Sequence, residues 1–203
     1  MTAHPRLVPP PAPDVVRLHA RALPIDLIPI GQQLVRIHRL THPPLFFGTG
    51  MDCRFQDPAK AFGVCYFGES DAASFAETFL RTVGIRSVSQ AALAARAFSN
   101  VALTRELRVV DLHGPGLARV GTTAAVATVY PYDIPNAWAA ALHNHPEQPD
   151  GIRYRCRHDS DEMALAVFQR SAAAMLVNAT NAMDSDPARL AALLDRWRLG
   201  LTT

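Results

Sequence analysis

The chain has 203 residues, of which 49% are apolar and 19% charged, and its formal net charge is +2 at neutral pH. Such a balance describes a globular chain that buries a core without staples, and it excludes a disordered chain. So small a net charge gives no argument for nucleic acid or an anionic membrane surface as a partner. The opening residues, Met1 to Arg6, lead into prolines and not into an apolar segment, so no signal peptide is expected. No apolar run reaches the length of a membrane span, and the expected compartment is the cytoplasm. Residues 1–32 stand apart as an arm, because Pro5, Pro9, Pro10, Pro11 and Pro13 oppose helix and sheet pairing. Scattered apolar residues from Val15 to Ile30 leave part of that arm able to pack on a core.

From Gln33 onward, strand-like and helix-like pieces alternate. Leu34 to His38 reads as a strand, with Val35 and Ile37 on one face and Arg36 and His38 on the other. Val64 to Phe67 is a second strand, and it runs into a helix over Ala72 to Thr82 that Ser70 or Asp71 can cap. Ser89 to Ala97 reads as a short helix. Val101 to Leu103 and Leu107 to Leu112 read as strands around a turn, the second stopped by His113-Gly114-Pro115-Gly116. Asn136 to His143 is helical. Strands over Ile152 to Arg157 and Met163 to Phe168 follow, separated by a polar loop, His158 to Asp161. A closing helix starts at Asp186 and Pro187, with Leu190, Leu193 and Leu194 as its apolar stripe. The fold class is α+β, with one catalytic domain over residues 33–203.

Several side chains could carry chemistry. Arg36 sits mid-strand and Arg54 follows a glycine-rich approach. Two arginines so placed suit a pyrophosphate, because each guanidinium can donate two parallel hydrogen bonds; by spacing alone, a surface arginine or a structural ion pair is the commoner outcome. Glu77 lies among apolar residues of the predicted helix, facing either a cleft or solvent. Tyr66, at a strand end, either stacks on a flat ring or fills the core. In Gly151 to His158, strand alternation puts Arg153, Arg155 and Arg157 on one face and Tyr154, Cys156 and His158 on the other. Cys156 and His158 could be a nucleophile pair, although neighbours two apart on one strand do not ordinarily align for that purpose. The three cysteines, Cys53, Cys65 and Cys156, lack the CxxC spacing of redox or zinc sites. His143-Asn144-His145 has no evident partner ligands, so no metal is expected. There is no P-loop and no GxGxxG after a strand, and any nucleotide must be held by other means.

Taken in order, these pieces resemble the RES domain, a family named for an arginine, a glutamate and a serine. The matching text is Leu34-Val35-Arg36-Ile37-His38-Arg39, Arg54-Phe55-Gln56-Asp57-Pro58, Gly63 to Phe67, and Ala72 to Phe79 with Glu77 inside. Leu107 to Leu112, Ala137-Trp138-Ala139 and Asp150 to Tyr154 continue it, so that residues 31 to 170 are covered. The resemblance implies a fold like that of ADP-ribosyltransferases, with small mixed or antiparallel sheets flanking an NAD+ cleft and helices around them. It also implies a toxin of a bacterial toxin–antitoxin system that depletes NAD+ by hydrolysis or phosphorolysis, or that passes ADP-ribose to a protein target. The implied partner is an antitoxin with an Xre-like helix-turn-helix domain, bound in a hetero-oligomer. NAD+ is then a substrate, and no metal is implied. In that frame Glu77 would stabilise the positive charge that builds on the ribose as nicotinamide leaves. Arg36 and Arg54 would clamp the pyrophosphate, and Tyr66 would stack on nicotinamide or lock the ribose. Cys156 stands in the Arg-Ser-Arg context where the family's serine belongs, so a weaker hydrogen-bond donor replaces a hydroxyl.

Overall fold

Strand and helix formers along the chain sort into a mixed sheet with helices packed on it. The computed structural model describes residues 9–50 and 52–203; the first eight residues of the arm, Pro5 among them, and Met51 lie outside the described part. Within the arm, Asp14 caps α1 (Val15–His19) by accepting from the Arg17 amide at 3.1 Å. The strand β1 (Ile25–Ile28) follows, and buried Leu18, Leu23 and Ile28 dock this segment onto the core. Trp138 Nε1 donates to the Pro11 carbonyl at 2.8 Å, and His145 Nε2 lies 3.2 Å from the carbonyls of both Leu18 and Arg21. His145 thus anchors the arm.

The remaining elements, in chain order, are β2 (Gln33–Arg39), β3 (Val64–Gly68), α2 (Asp71–Phe79), β4 (Ser87–Ser89), α3 (Gln90–Ala94), β5 (Arg96–Leu103) and β6 (Leu107–Asp111). Then come α4 (Gly114–Val120), α5 (Asp133–His143), β7 (Gly151–Cys156), β8 (Asp159–Phe168), β9 (Met175–Ala182), α6 (Pro187–Arg196) and β10 (Gly200–Thr202). Eight strands form one sheet in the order β1-β6-β7-β8-β3-β2-β5-β9, and β4 pairs with β10 apart from it. Within the large sheet every pairing is antiparallel except β6 with β7, whose crossover contains α4 and α5. Alternate residues of the central strands point to two cores. Leu165 and Val167 of β8 pack with Leu34 and Phe67, while Ala164, Ala166 and Phe168 pack with Phe75 and Ile152. Burial on both faces makes these strands read as continuous apolar runs. Among the described residues no helix is long and apolar enough to cross a membrane.

The α+β class holds, but several elements differ from the sequence reading. The two small sheets expected around a cleft are joined into one, and the joint is weak. The strands β2 and β3 pair only at Val35 and Gly68, whereas β2 pairs with β5 from Gln33–Ala102 through Arg39–Arg96. The helix expected over Ser89 to Ala97 stops at Ala94, because residues 96 to 103 gain ladder partners on both sides, β2 and β9; tertiary pairing overrides the helix preference of alanine. The strands either side of the turn at residues 104–106 do not pair with each other; β5 lies between β2 and β9, and β6 lies between β1 and β7. The glycine-rich stop after β6 also opens α4, with Pro115 in its first turn. The strand β8 begins at Asp159, so most of the polar loop expected there belongs to the ladder. No strand was expected over Met175–Ala182.

Candidate active site

Where β2 and β3 separate, a cleft of roughly 250 Å³ opens, lined by residues of both strands and of α2. The ladder leaves the Ile37 amide unpaired there, and Ser74 Oγ of α2 accepts from it at 2.9 Å. Gly68 lets α2 lie against β3 this closely. A Cβ on it would stand 2.4 Å from the Ser74 amide nitrogen and 2.7 Å from the Ser70 carbonyl oxygen. Ser70 caps the helix by accepting from the Ala73 amide at 2.9 Å. The apolar side of α2, including Ala73, Phe75, Ala76 and Phe79, is buried. Its polar stripe, Ser74, Glu77 and Thr78, with Arg81 just past the helix end, faces the cleft at helical spacing.

Glu77 is held from several directions. Arg54 Nη2 pairs with its Oε2 at 2.5 Å, with both side chains mostly buried. Tyr154 Oη on β7 donates to the same oxygen at 3.3 Å, and the Arg157 amide reaches Oε1 at 3.3 Å. Arg54 also donates to the Ala127 carbonyl, and its guanidinium lies 5.5 Å from the centre of the Tyr154 ring. Burial, the largest influence, would lower the Arg54 guanidinium; the Glu77 carboxylate together with Tyr154, Tyr132 and Tyr66 outweighs it and holds the group above its ordinary value. The backbone that presents Arg54 is strained. Phe55 has φ 63° although its ring is fully buried, a left-handed conformation rare for a bulky residue and concentrated at functional sites. Phe55 packs against Tyr154 with ring centres 5.0 Å apart, so burial of that ring offsets the backbone cost.

Arg36 and Tyr66 line the same cleft from the two strands. Arg36 Nη1 donates to the Phe46 carbonyl at 3.1 Å and to Cys65 Sγ. Burial pushes its guanidinium down to about 10, which leaves it cationic at neutral pH. The Tyr66 hydroxyl donates to the Arg54 carbonyl and accepts from Gln56 Nε2 at 3.2 Å. Burial pushes this phenol well up, so it stays a donor. Its hydroxyl therefore braces the Arg54 loop, while the residue lines the cleft. Cys156 is the member of the expected set that does not line the cleft. Its thiol is buried behind α2, 3.7 Å from the Ala73 carbonyl, and burial pushes it up, away from the thiolate. That geometry gives no support to a Cys156–His158 nucleophile pair.

Other polar groupings have structural partners. His143 stacks on Phe62 at 3.7 Å and receives a hydrogen bond from Arg170 at its carbonyl. Asp26, Asp111 and His113 come together, but Asp26 already pairs with Arg153 at 3.0 Å. Sequence reasoning did not single out Cys53, Tyr132, Tyr154 as a partner of Glu77, or Arg39, Arg81 and Arg96, all of which line the cleft. Two of these left a signal. Arg81 continues the stripe of Ser74, Glu77 and Thr78, and Tyr154 occupies the inward face of a strand that alternates in the text.

No curated protein matches the chain. Among solved structures, the crystal structure of the M. tuberculosis MbcT–MbcA toxin–antitoxin complex is similar in fold, with a TM-score of 0.63 and 18% identity over 91% of this chain and 96% of that one. The model of the RES domain matches residues 33–191, a span that contains β2, β3, α2, the Arg54 loop and β7, and so every wall of the cleft. This chain belongs to the RES domain family.

Proposed function

We propose that this chain is the toxin of a toxin–antitoxin pair and that it consumes NAD+ by cleaving the bond between nicotinamide and ribose. The observation that carries the reading is Glu77: a mostly buried carboxylate, held by Arg54, Tyr154 and the Arg157 amide, in a cleft whose lining also holds five arginines. As the glycosidic bond breaks, its electron pair passes to the nicotinamide nitrogen, which leaves neutral, and positive charge builds on the ribose. A fixed carboxylate beside that ribose favours the charged transition state over the ground state. Arg36 holds the pyrophosphate, and the Tyr66 ring stacks on nicotinamide or packs on its ribose. Water or inorganic phosphate then attacks the ribose carbon, and either gives up its proton to solvent. Membership of the RES family and the fold shared with a toxin of a toxin–antitoxin complex support the toxin role and a protein antitoxin as partner.

The test is NAD+ loss by the purified chain, followed by chromatography with phosphate present and absent, with Glu77→Gln as control. Wild type should release free nicotinamide, and the variant should be slower by about 10²- to 10³-fold. A phosphorylated ADP-ribose product would establish phosphorolysis, and ADP-ribose hydrolysis. Stable NAD+ in the presence of folded wild-type chain would overturn the proposal, and label carried from NAD+ onto a protein would replace it with ADP-ribosyl transfer.

A further inference from the structure

Arg36, Arg39, Arg54, Arg81 and Arg96 line the cleft, and Glu77 is the single carboxylate among its lining residues. Arg54 takes up that carboxylate, while Arg36 and Arg81 donate to the backbone carbonyls of Phe46 and Asp52. NAD+ brings two phosphate charges and one positive pyridinium, so it leaves most of this charge unmatched. The excess is concentrated at one place. Arg39 and Arg96 stand directly opposite each other across β2 and β5, an arrangement that costs stability because like charges face each other about 5 Å apart at Cβ. Neither belongs to an ion pair among the described residues. Arg96 is half-buried and fixed, donating to the Ala92 carbonyl at 2.6 Å and packing over Phe79 at 5.1 Å. Arg39 is exposed and can swing. His38, between Arg36 and Arg39, is turned to Ser99 Oγ at 2.8 Å and brings no negative charge. Arg36 and Arg39 lie about 10 Å apart along β2 and start from opposite faces of the strand, yet both line the cleft.

We propose that Arg39 and Arg96 form a second anion subsite of this cleft, one that takes a phosphate dianion. Its source is either the ribose phosphate of a 2′-phosphorylated dinucleotide or free inorganic phosphate. The proposal rests on the reading of the cleft as a dinucleotide site and adds to it which dinucleotide, or which co-substrate, the cleft prefers. A dianion between two guanidiniums converts their repulsion into attraction and accepts paired hydrogen bonds from both.

Binding is measured by calorimetry with adenosine 2′,5′-bisphosphate, adenosine 5′-monophosphate and inorganic phosphate, on wild type and on the Arg39→Gln/Arg96→Gln double variant. Wild type should bind the bisphosphate about tenfold more tightly than the monophosphate. The double variant should lose that preference and hold the monophosphate within about threefold. In turnover without phosphate, NADP+ should outperform NAD+ on wild type alone. A wild type with no preference for the bisphosphate but with phosphate binding that the double variant loses assigns the subsite to free phosphate. A double variant that binds all three probes as wild type does overturns the proposal. Because binding is read without turnover, a chain that keeps the bisphosphate preference and consumes neither dinucleotide would sink the catalytic reading and leave the subsite standing.

Discussion

The half of the sheet that ends in β3 and the half that begins with β2 differ in what they bring to the cleft. The first, β1-β6-β7-β8-β3, supplies Tyr66 and Tyr154 and carries α2 with Glu77. Its central strands are buried on both faces. The second, β2-β5-β9, supplies Arg36, Arg39 and Arg96, and its outer strand β9 alternates between covered and exposed residues. Glu77 and the three arginines of β2 and β5 therefore stand on opposite walls, joined by the Val35–Gly68 pair and the hydroxyl of Ser74. Only Arg54, from the loop between the two strands, crosses over to pair with Glu77. The difference teaches how a cleft keeps its cations free of the carboxylate they face. A ligand that is anionic at one point and becomes cationic at another can then meet both walls at once.

Gly68→Ala attacks the joint itself. Its methyl group would collide with the backbone of Ser70 and Ser74, so α2 must shift and carry Glu77 with it. The expected loss is about 3 kcal/mol in urea unfolding, together with most of the NAD+ turnover; an unchanged midpoint would mean that α2 can slide without cost. Arg36→Gln removes a cation from the second wall and leaves the first alone. It should lower kcat/KM for NAD+ by about 100-fold, chiefly through KM, while the chain stays folded. An unaltered KM would move the pyrophosphate away from β2. Cys156→Ser is the mildest. Because the thiol lies behind α2 and outside the cleft, turnover should stay level or rise, and stability should fall by about 1 kcal/mol as a hydroxyl enters an apolar pocket. A large loss of turnover would give Cys156 a part in the chemistry that its position does not indicate.

Much of this site was legible before any coordinates. Residue order and the RES resemblance singled out Arg36, Arg54, Tyr66 and Glu77, and all four line one cleft. The strands β2 and β3 and the helices α2 and α6 were readable because a period of 2 or 3.6 and a capping residue are local properties of the text, as with Ser70 ahead of α2 and Asp186 ahead of α6. The segment of β9 hid from such reading, because it is an edge strand whose positions beyond Met175 are at most partly covered, so its alternation is weak.

What only the tertiary structure decided is pairing across distance. That Tyr154 reaches Glu77, 77 residues away, depends on the place of β7 in the sheet. The opposition of Arg39 and Arg96 depends on the register of β2 on β5, and a shift of one residue would turn the two side chains to opposite faces. Local sequence sets which residues can be strand or helix through steric and capping preferences. Which strands become neighbours, and so which charges meet, is set by burial summed over the whole sheet.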